Sequence, residues 1–262
     1  MKVLLIYPPH EHMVTTNAPE LVDQESGVYP PLGLLYVAAY AEAHTNHEVS
    51  VLDTVAAGIS IAQVERAVEN EQPDVVGIQA QTFTLIDALL TAQAVKRVSP
   101  DIHVCLGGPH VNLYPLETVR RPEVDSLVMG EGEVTFSELL AGLAGKRDLG
   151  TIAGVVSKQG EEVIVNPPRP LIEDLDALPF PSRHLTPTRE YSSVLAKRSP
   201  ITTIMASRGC PFRCLYCCRP HLGKRYRPRS HRNVVDEMEQ CVGMGIREFF
   251  FYDDLFAPAK ER

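Results

Sequence analysis

The sequence predicts an α/β protein: a doubly wound five-stranded parallel sheet over residues 1–145, a hairpin and proline-rich linker over 146–199, and a second α/β segment over 200–262. Three observations predict it. Short apolar runs alternate with amphipathic stretches of helical length through the first 145 residues, the pattern of strands buried on both faces by crossover helices. Turn chemistry then changes, and ten of the 21 prolines fall between Pro167 and Pro228. With 44% hydrophobic and 22% charged residues, the 262-residue chain has a globular composition and room for more than one packing unit.

The run Lys2–Tyr7 reads as a buried strand ended by Pro8-Pro9. Pro30-Pro31 opens a helix over 31–43, because proline at the first helical position gives up an N–H that has no partner there. Strand 49–52, helix 60–71 and strand 74–78 follow. In helix 85–98, Ile86, Leu89, Leu90 and Ala94 recur at helical spacing and are assigned the buried face. Strands 102–106 and 126–129 complete the five, and helix 134–143 closes the series. In such sheets ligands bind at the carboxyl ends of the strands, near a topological switch point. Gln159-Gly160 marks a hairpin over 151–166, and 167–199 reads as an extended linker. A strand over 202–206 leads into a cysteine cluster. Asn233 caps a helix with Val235, Met238 and Val242 on one face, and Gly245 precedes a strand over 248–252.

No apolar run approaches the ~18 residues of a membrane span, and the run 3–7 is too short for a secretory h-region, so the expected location is the cytoplasm with no membrane partner. The formal charge is −8, yet residues 197–232 hold ten Lys and Arg and no acidic residue, leaving 15 basic against 33 acidic residues elsewhere. Such a run is either a solvated loop or a field that attracts an anion. Cys105 and Cys241, on a strand and a helix, read as core residues. Cys210, Cys214, Cys217 and Cys218 fall within nine residues, a clustering that points to a metal in a reducing compartment.

Cys210-Pro211-Phe212-Arg213-Cys214-Leu215-Tyr216-Cys217 has the spacing CxxxCxxC. Three thiolates on one loop can ligate three irons of a cubane cluster and leave the fourth open. Zinc is the alternative, with Cys218 or His221 as fourth ligand, although structural zinc usually takes two separated pairs. With zinc, the cations of 197–232 and the interleaved Phe212, Tyr216 and Tyr226 would make a nucleic-acid-binding module that contacts phosphates and stacks bases.

Extended upstream by Ser207-Arg208-Gly209, the cysteine motif resembles the signature loop of the radical S-adenosylmethionine (SAM) superfamily. The resemblance implies a 4Fe-4S cluster on Cys210, Cys214 and Cys217 whose open iron chelates the amino and carboxylate groups of SAM. It places Tyr216 near the adenine, and Asp253 and Asp254 near the amino end of SAM. It also makes 200–262 the first βαβ unit of a partial (β/α) barrel. At ~30 residues per strand–helix unit, the 52 residues after Cys210 predict a truncated barrel, hence a fragment nearly inactive in SAM cleavage.

The first 145 residues are similar to the Rossmann-like cobalamin-binding domain that precedes the radical SAM domain in one large subgroup. The residues that carry this likeness are Tyr29-Pro30-Pro31-Leu32-Gly33, Gly107-Gly108-Pro109-His110 and Gly130-Glu131-Gly132-Glu133. The implied cobalamin contacts are Gly107, Gly108, Pro109, His110, Gly130, Glu131 and Gly132, since glycines let a corrin approach the backbone closely. Many such domains carry DxHxxG after the first strand. Here Pro8-Pro9-His10-Glu11-His12 stands there without that pattern, so the expected cobalt face lacks a histidine from this domain, with His10, His12 and His110 the remaining candidates for one. Together the resemblances imply a cobalamin-dependent radical SAM enzyme. In that chemistry one electron from the cluster cleaves SAM to a 5′-deoxyadenosyl radical, for methyl transfer or another radical modification of a small-molecule or natural-product substrate. Flavodoxin or ferredoxin is the implied electron donor, and nucleic acid is not an expected partner.

Overall fold

The structure, a computed structural model, describes residues 1–15, 27–160, 162–217 and 223–256; Cys218 and His221 lie outside them. Strands β1 (Lys2–Tyr7), β2 (Glu48–Asp53), β3 (Val75–Gln79), β4 (His103–Gly107) and β5 (Ser126–Val128) pair in parallel. Strands β6 (Val155–Gln159) and β7 (Glu162–Val165) add two antiparallel members, giving the order β2-β1-β3-β4-β5-β6-β7. The order reverses between β1 and β3, which makes their carboxyl ends the switch point.

Six helices link the parallel strands and follow them: α1 (Leu32–His44), α2 (Ile61–Glu71), α3 (Leu85–Val98), the short α4 (Pro109–Leu113) and α5 (Pro115–Val119), and α6 (Gly132–Leu143). Because strand side chains alternate, Val3, Leu5, Val75, Cys105 and Val128 pack toward α1 and α6, while Leu4, Ile6, Val76, Ile78, Val104, Leu106 and Leu127 pack toward α2 and α3. The doubly wound sheet is therefore as expected, and the hairpin extends it.

Three local expectations change. The buried face of α3 is Asp87, Ala88, Thr91, Ala92, Ala94 and Val95, while Ile86 is exposed. Small side chains let α3 lie close, and the Asp87 carboxylate accepts the His12 backbone N–H at 3.0 Å, with the ring Nδ1 2.8 Å away. Residues 167–199 are not a free linker but a strap crossing α6, α1 and β2. Ser182 N–H donates to Leu35 O at 3.1 Å, and the buried Tyr191 hydroxyl donates to Asp53 Oδ2 at 2.8 Å. Burial pushes the Asp53 carboxyl up, against the hydrogen bonds it receives from Ala56 and Tyr191. Beyond the strap, β8 (Ile201–Ile204) pairs in parallel with β11 (Glu248–Phe251) across α7 (His231–Gly243), and β9 (Ser207–Arg208) pairs antiparallel with β10 (Arg227–Pro228). The cap of α7 is Ser230, whose Oγ accepts from Asn233 N–H at 3.2 Å; Asn233 instead takes Arg229 Nε. Its buried face carries Glu237 and Cys241 in place of Val235 and Val242, which are exposed. Among the described residues no helix is long and apolar enough to cross a membrane.

Leu127 is fully buried, so Leu127→Ala is expected to cost ~2–5 kcal/mol in urea unfolding. Burial also pushes His10, His103 and His110 below the ordinary imidazole range. These rings stay neutral in the fold but take a proton in the unfolded chain below about pH 6.5, so stability present above that value is lost as pH falls toward the depressed folded values. The urea midpoint should drop between about pH 7 and about pH 5, and drop less in His103→Gln.

Candidate functional site

A cleft of about 320 Å3 opens at the carboxyl ends of β3, β4 and β5, between the sheet and helices α1 and α6. Gly107, Gly108, Pro109, Gly130, Glu131 and Gly132 line it, as do Gly33, Gly77, Gln79 and Gln81. His110 does not: its Nδ1 lies 3.2 Å from Thr82 Oγ1 and its ring faces Tyr114. His10, against the Tyr7 ring, and His12 also lie off the cleft. Gly108 has φ +110°, and a β-carbon there would stand 2.8 Å from Ala80 O, so only glycine fits. A β-carbon on Gly33 or Gly130 would meet no protein atom within 4 Å, which leaves those walls open to a bulky planar ligand. The rest of the lining is largely apolar, including Leu5, Val128 and Phe136, and Met205 and Arg208 reach in from the second unit.

The cysteine segment begins beside this cleft. Cys210 is buried, Cys214 and Cys217 are exposed, and Cys217 N–H donates to Cys214 O at 3.1 Å. Among the described residues no three His, Cys, Asp or Glu side chains converge, so the thiols are near in sequence but not gathered in space. Three soft thiols, one anchored and two on a solvent-facing turn, still suit a cluster, because binding of the metal can itself draw such a set together. Tyr216 is 92% exposed. Asp253 accepts from Ala206 N–H at 3.0 Å and from the Ser207 hydroxyl, so it braces the chain just before Cys210; burial pushes its carboxyl up. Asp254 is exposed.

The basic segment is only in part a cationic surface. Arg208, Arg227 and Arg229 are buried and ion-paired with Glu131, Glu133 and Glu237. Arg225 pairs with Glu173 at 2.7 Å and Arg232 with Asp236 at 3.8 Å, both exposed, and Lys197, Arg198, Arg213 and Lys224 are also on the surface; Arg219 lies outside the described residues. The three inward-facing guanidinium groups are held by carboxylates and are not offered to phosphates. Around Glu237, Arg183 Nη2 donates to Oε1 at 2.6 Å and Arg229 Nη1 to Oε2, while Arg229 also reaches the Tyr36 hydroxyl at 3.2 Å. Burial, then the Glu237 charge, push the Tyr36 phenol up to about 12.

Residues 21–140 match the family described as the B12 binding domain. The whole chain is 37% identical to an uncharacterized methyltransferase of Pyrococcus horikoshii, covering 55% of it. Over 260 residues it is 31% identical to the anaerobic magnesium-protoporphyrin IX monomethyl ester cyclase of Rubrivivax gelatinosus, covering 97% of this chain and 45% of that one. The chain therefore carries a B12-binding domain and is homologous to cobalamin-dependent radical SAM proteins. It spans about half the length of these relatives. Its fold is that of TsrM, a radical SAM methyltransferase from Kitasatospora setae solved with cobalamin and a 4Fe-4S cluster bound. That likeness has a TM-score of 0.72 at 21% identity, over 97% of this chain and 49% of TsrM.

Among the described residues Glu237 is the one carboxylate paired with Arg183 and Arg229, so Glu237→Ala would leave two buried cations uncompensated. An unfolding cost of ~3–5 kcal/mol in urea is expected.

Proposed function

We propose that this chain carries the cobalamin and cluster sites of a cobalamin-dependent radical SAM enzyme that methylates, or otherwise modifies by radical chemistry, a small-molecule substrate. The observation that carries the reading is the adjacency of the two sites: Arg208 lines the glycine-walled cleft and stands two residues before Cys210. Cys210, Cys214 and Cys217 are the proposed cluster ligands, and the cleft residues Gly107, Gly108, Pro109, Gly130 and Gly132 the proposed cobalamin contacts. Tyr216, Asp253 and Asp254 are the side chains proposed to meet SAM. When bound, the cluster supplies the electron that cleaves SAM to a 5′-deoxyadenosyl radical, and cobalamin supplies a methyl group.

The chain's own work is binding and exclusion. Leu5, Val128 and Phe136 give the cleft a dry wall, and Gly33 and Gly130 keep room for the corrin. An acceptor of single electrons needs a donor, so a flavodoxin or ferredoxin is the proposed partner. Two exposed thiols among the proposed ligands favour a reducing compartment, and the cytoplasm is the proposed location. The methyltransferase relative favours methyl transfer, and the cyclase relative keeps other radical modifications within the proposal.

Anaerobic reconstitution with iron and sulfide should give about four irons per chain and a broad visible absorbance that Cys214→Ala abolishes. Stoichiometric zinc without sulfide would overturn the cluster. Gly33→Phe fills open space on a helix, so the melting temperature should hold while hydroxocobalamin affinity falls at least about tenfold. Unchanged affinity would move cobalamin out of the cleft.

A further inference from the structure

Strands β9 and β10 flank the cysteine segment, and Arg208 and Arg227 are register partners on them. Both reach a single carboxylate of the first unit. Glu131 Oε1 accepts from Arg208 Nη1 and from Arg227 Nη1, each at 3.0 Å; Oε2 accepts from Arg227 Nη1 at 2.9 Å and from Ile172 N–H at 2.7 Å. Glu133 Oε1 takes the other Arg208 nitrogen at 2.5 Å, and the Arg208 guanidinium lies 5.0 Å from the Tyr36 ring centroid. Both glutamates and both arginines are buried.

Glu131 therefore has both oxygens filled by protein donors, although its neighbours Gly130 and Gly132 form cleft wall. A carboxylate so engaged is poorly offered to a ligand. It is well placed to transmit one. Charge-assisted bonds in a dry setting tolerate little displacement, so a shift of residues 130–133 must move both strands from which the cysteine segment hangs.

We propose that Glu131 is a positioning residue that couples the cleft to the cysteine segment. Cobalamin seated in the cleft holds 130–133, and through Arg208 and Arg227 it holds Cys210 at the foot of the segment. The coupling rests on the reading of the cleft as the cobalamin site. By linkage it is reciprocal: whatever gathers the cysteines tightens cobalamin binding by the same factor.

The five described cysteines make the test. In the cluster-free full chain, iodoacetamide labelling resolved by mass spectrometry should be fast at the exposed Cys214 and Cys217 and slow at the buried Cys210, Cys105 and Cys241. Glu131→Gln should speed Cys210 labelling at least about tenfold and leave Cys105 and Cys241 slow, because only the clamp has opened. An unchanged Cys210 rate overturns the clamp. If Cys105 and Cys241 also become fast, the variant has unfolded, and Glu133→Gln, which removes one of the two carboxylates on Arg208, is judged by the same ratio. Saturating hydroxocobalamin should slow Cys210 further in the parent chain and not in Glu131→Gln. A merely structural glutamate would not produce that difference. Hydroxocobalamin that co-elutes with the parent chain yet leaves Cys210 labelling unchanged overturns the coupling. Hydroxocobalamin that does not co-elute overturns the reading of the cleft, and the clamp is then decided by the cofactor-free rates alone.

Discussion

Four arginines, Arg183, Arg208, Arg227 and Arg229, are kept from water by three carboxylates, Glu131, Glu133 and Glu237, and the seating of the second α/β unit on the first depends on that exchange. Each ion alone would be expensive to bury, and the attraction between partners repays the desolvation only where the geometry is good. Such a junction adds modest stability over a well-packed apolar one, but it has few alternative registers. Tyr36 shows how tightly the parts interlock: its ring lies under Arg208 and its hydroxyl receives Arg229, so one residue of α1 touches both halves of the network.

The strands were legible in the sequence because burial on both faces writes a continuous apolar run, and the parallel sheet follows from their alternation with helices. Helix faces were less legible. In α3 the period was correct but the phase was not, since alanines, a threonine and a buried aspartate form the inner face while Ile86 faces water. In α7 the inner face holds Glu237, whose burial makes sense only once Arg183, 54 residues away, is in place. Gln159-Gly160 announced a hairpin, but nothing local says that β6 pairs with β5. The glycines of the cleft were visible as motifs. Arg208 was visible only as one charge in a basic run, because its carboxylate partners lie 75 and 77 residues earlier.

The cysteine segment and the cleft differ in how finished they are. Backbone geometry at Gly108, which only glycine satisfies, and a packed apolar wall shape the cleft before any ligand arrives. The thiols instead have one member set in the fold and two in solvent. A metal that binds there must supply the free energy that orders the turn, so its affinity and the folding of the turn are one quantity.

The strap over 167–199 also constrains the order in which the chain can be assembled on the ribosome. Glu42, Asp53, Glu131 and Glu133 precede their partners Ser182, Tyr191, Arg208 and Arg227 in the chain and so leave the ribosome first. Domains generally form as units in the order of synthesis. During that interval the docking face of the nascent sheet presents solvated carboxylates beside its apolar residues. The same groups lose their water one after another as the strap, and then the arginine-bearing strands, leave the exit tunnel and close over them.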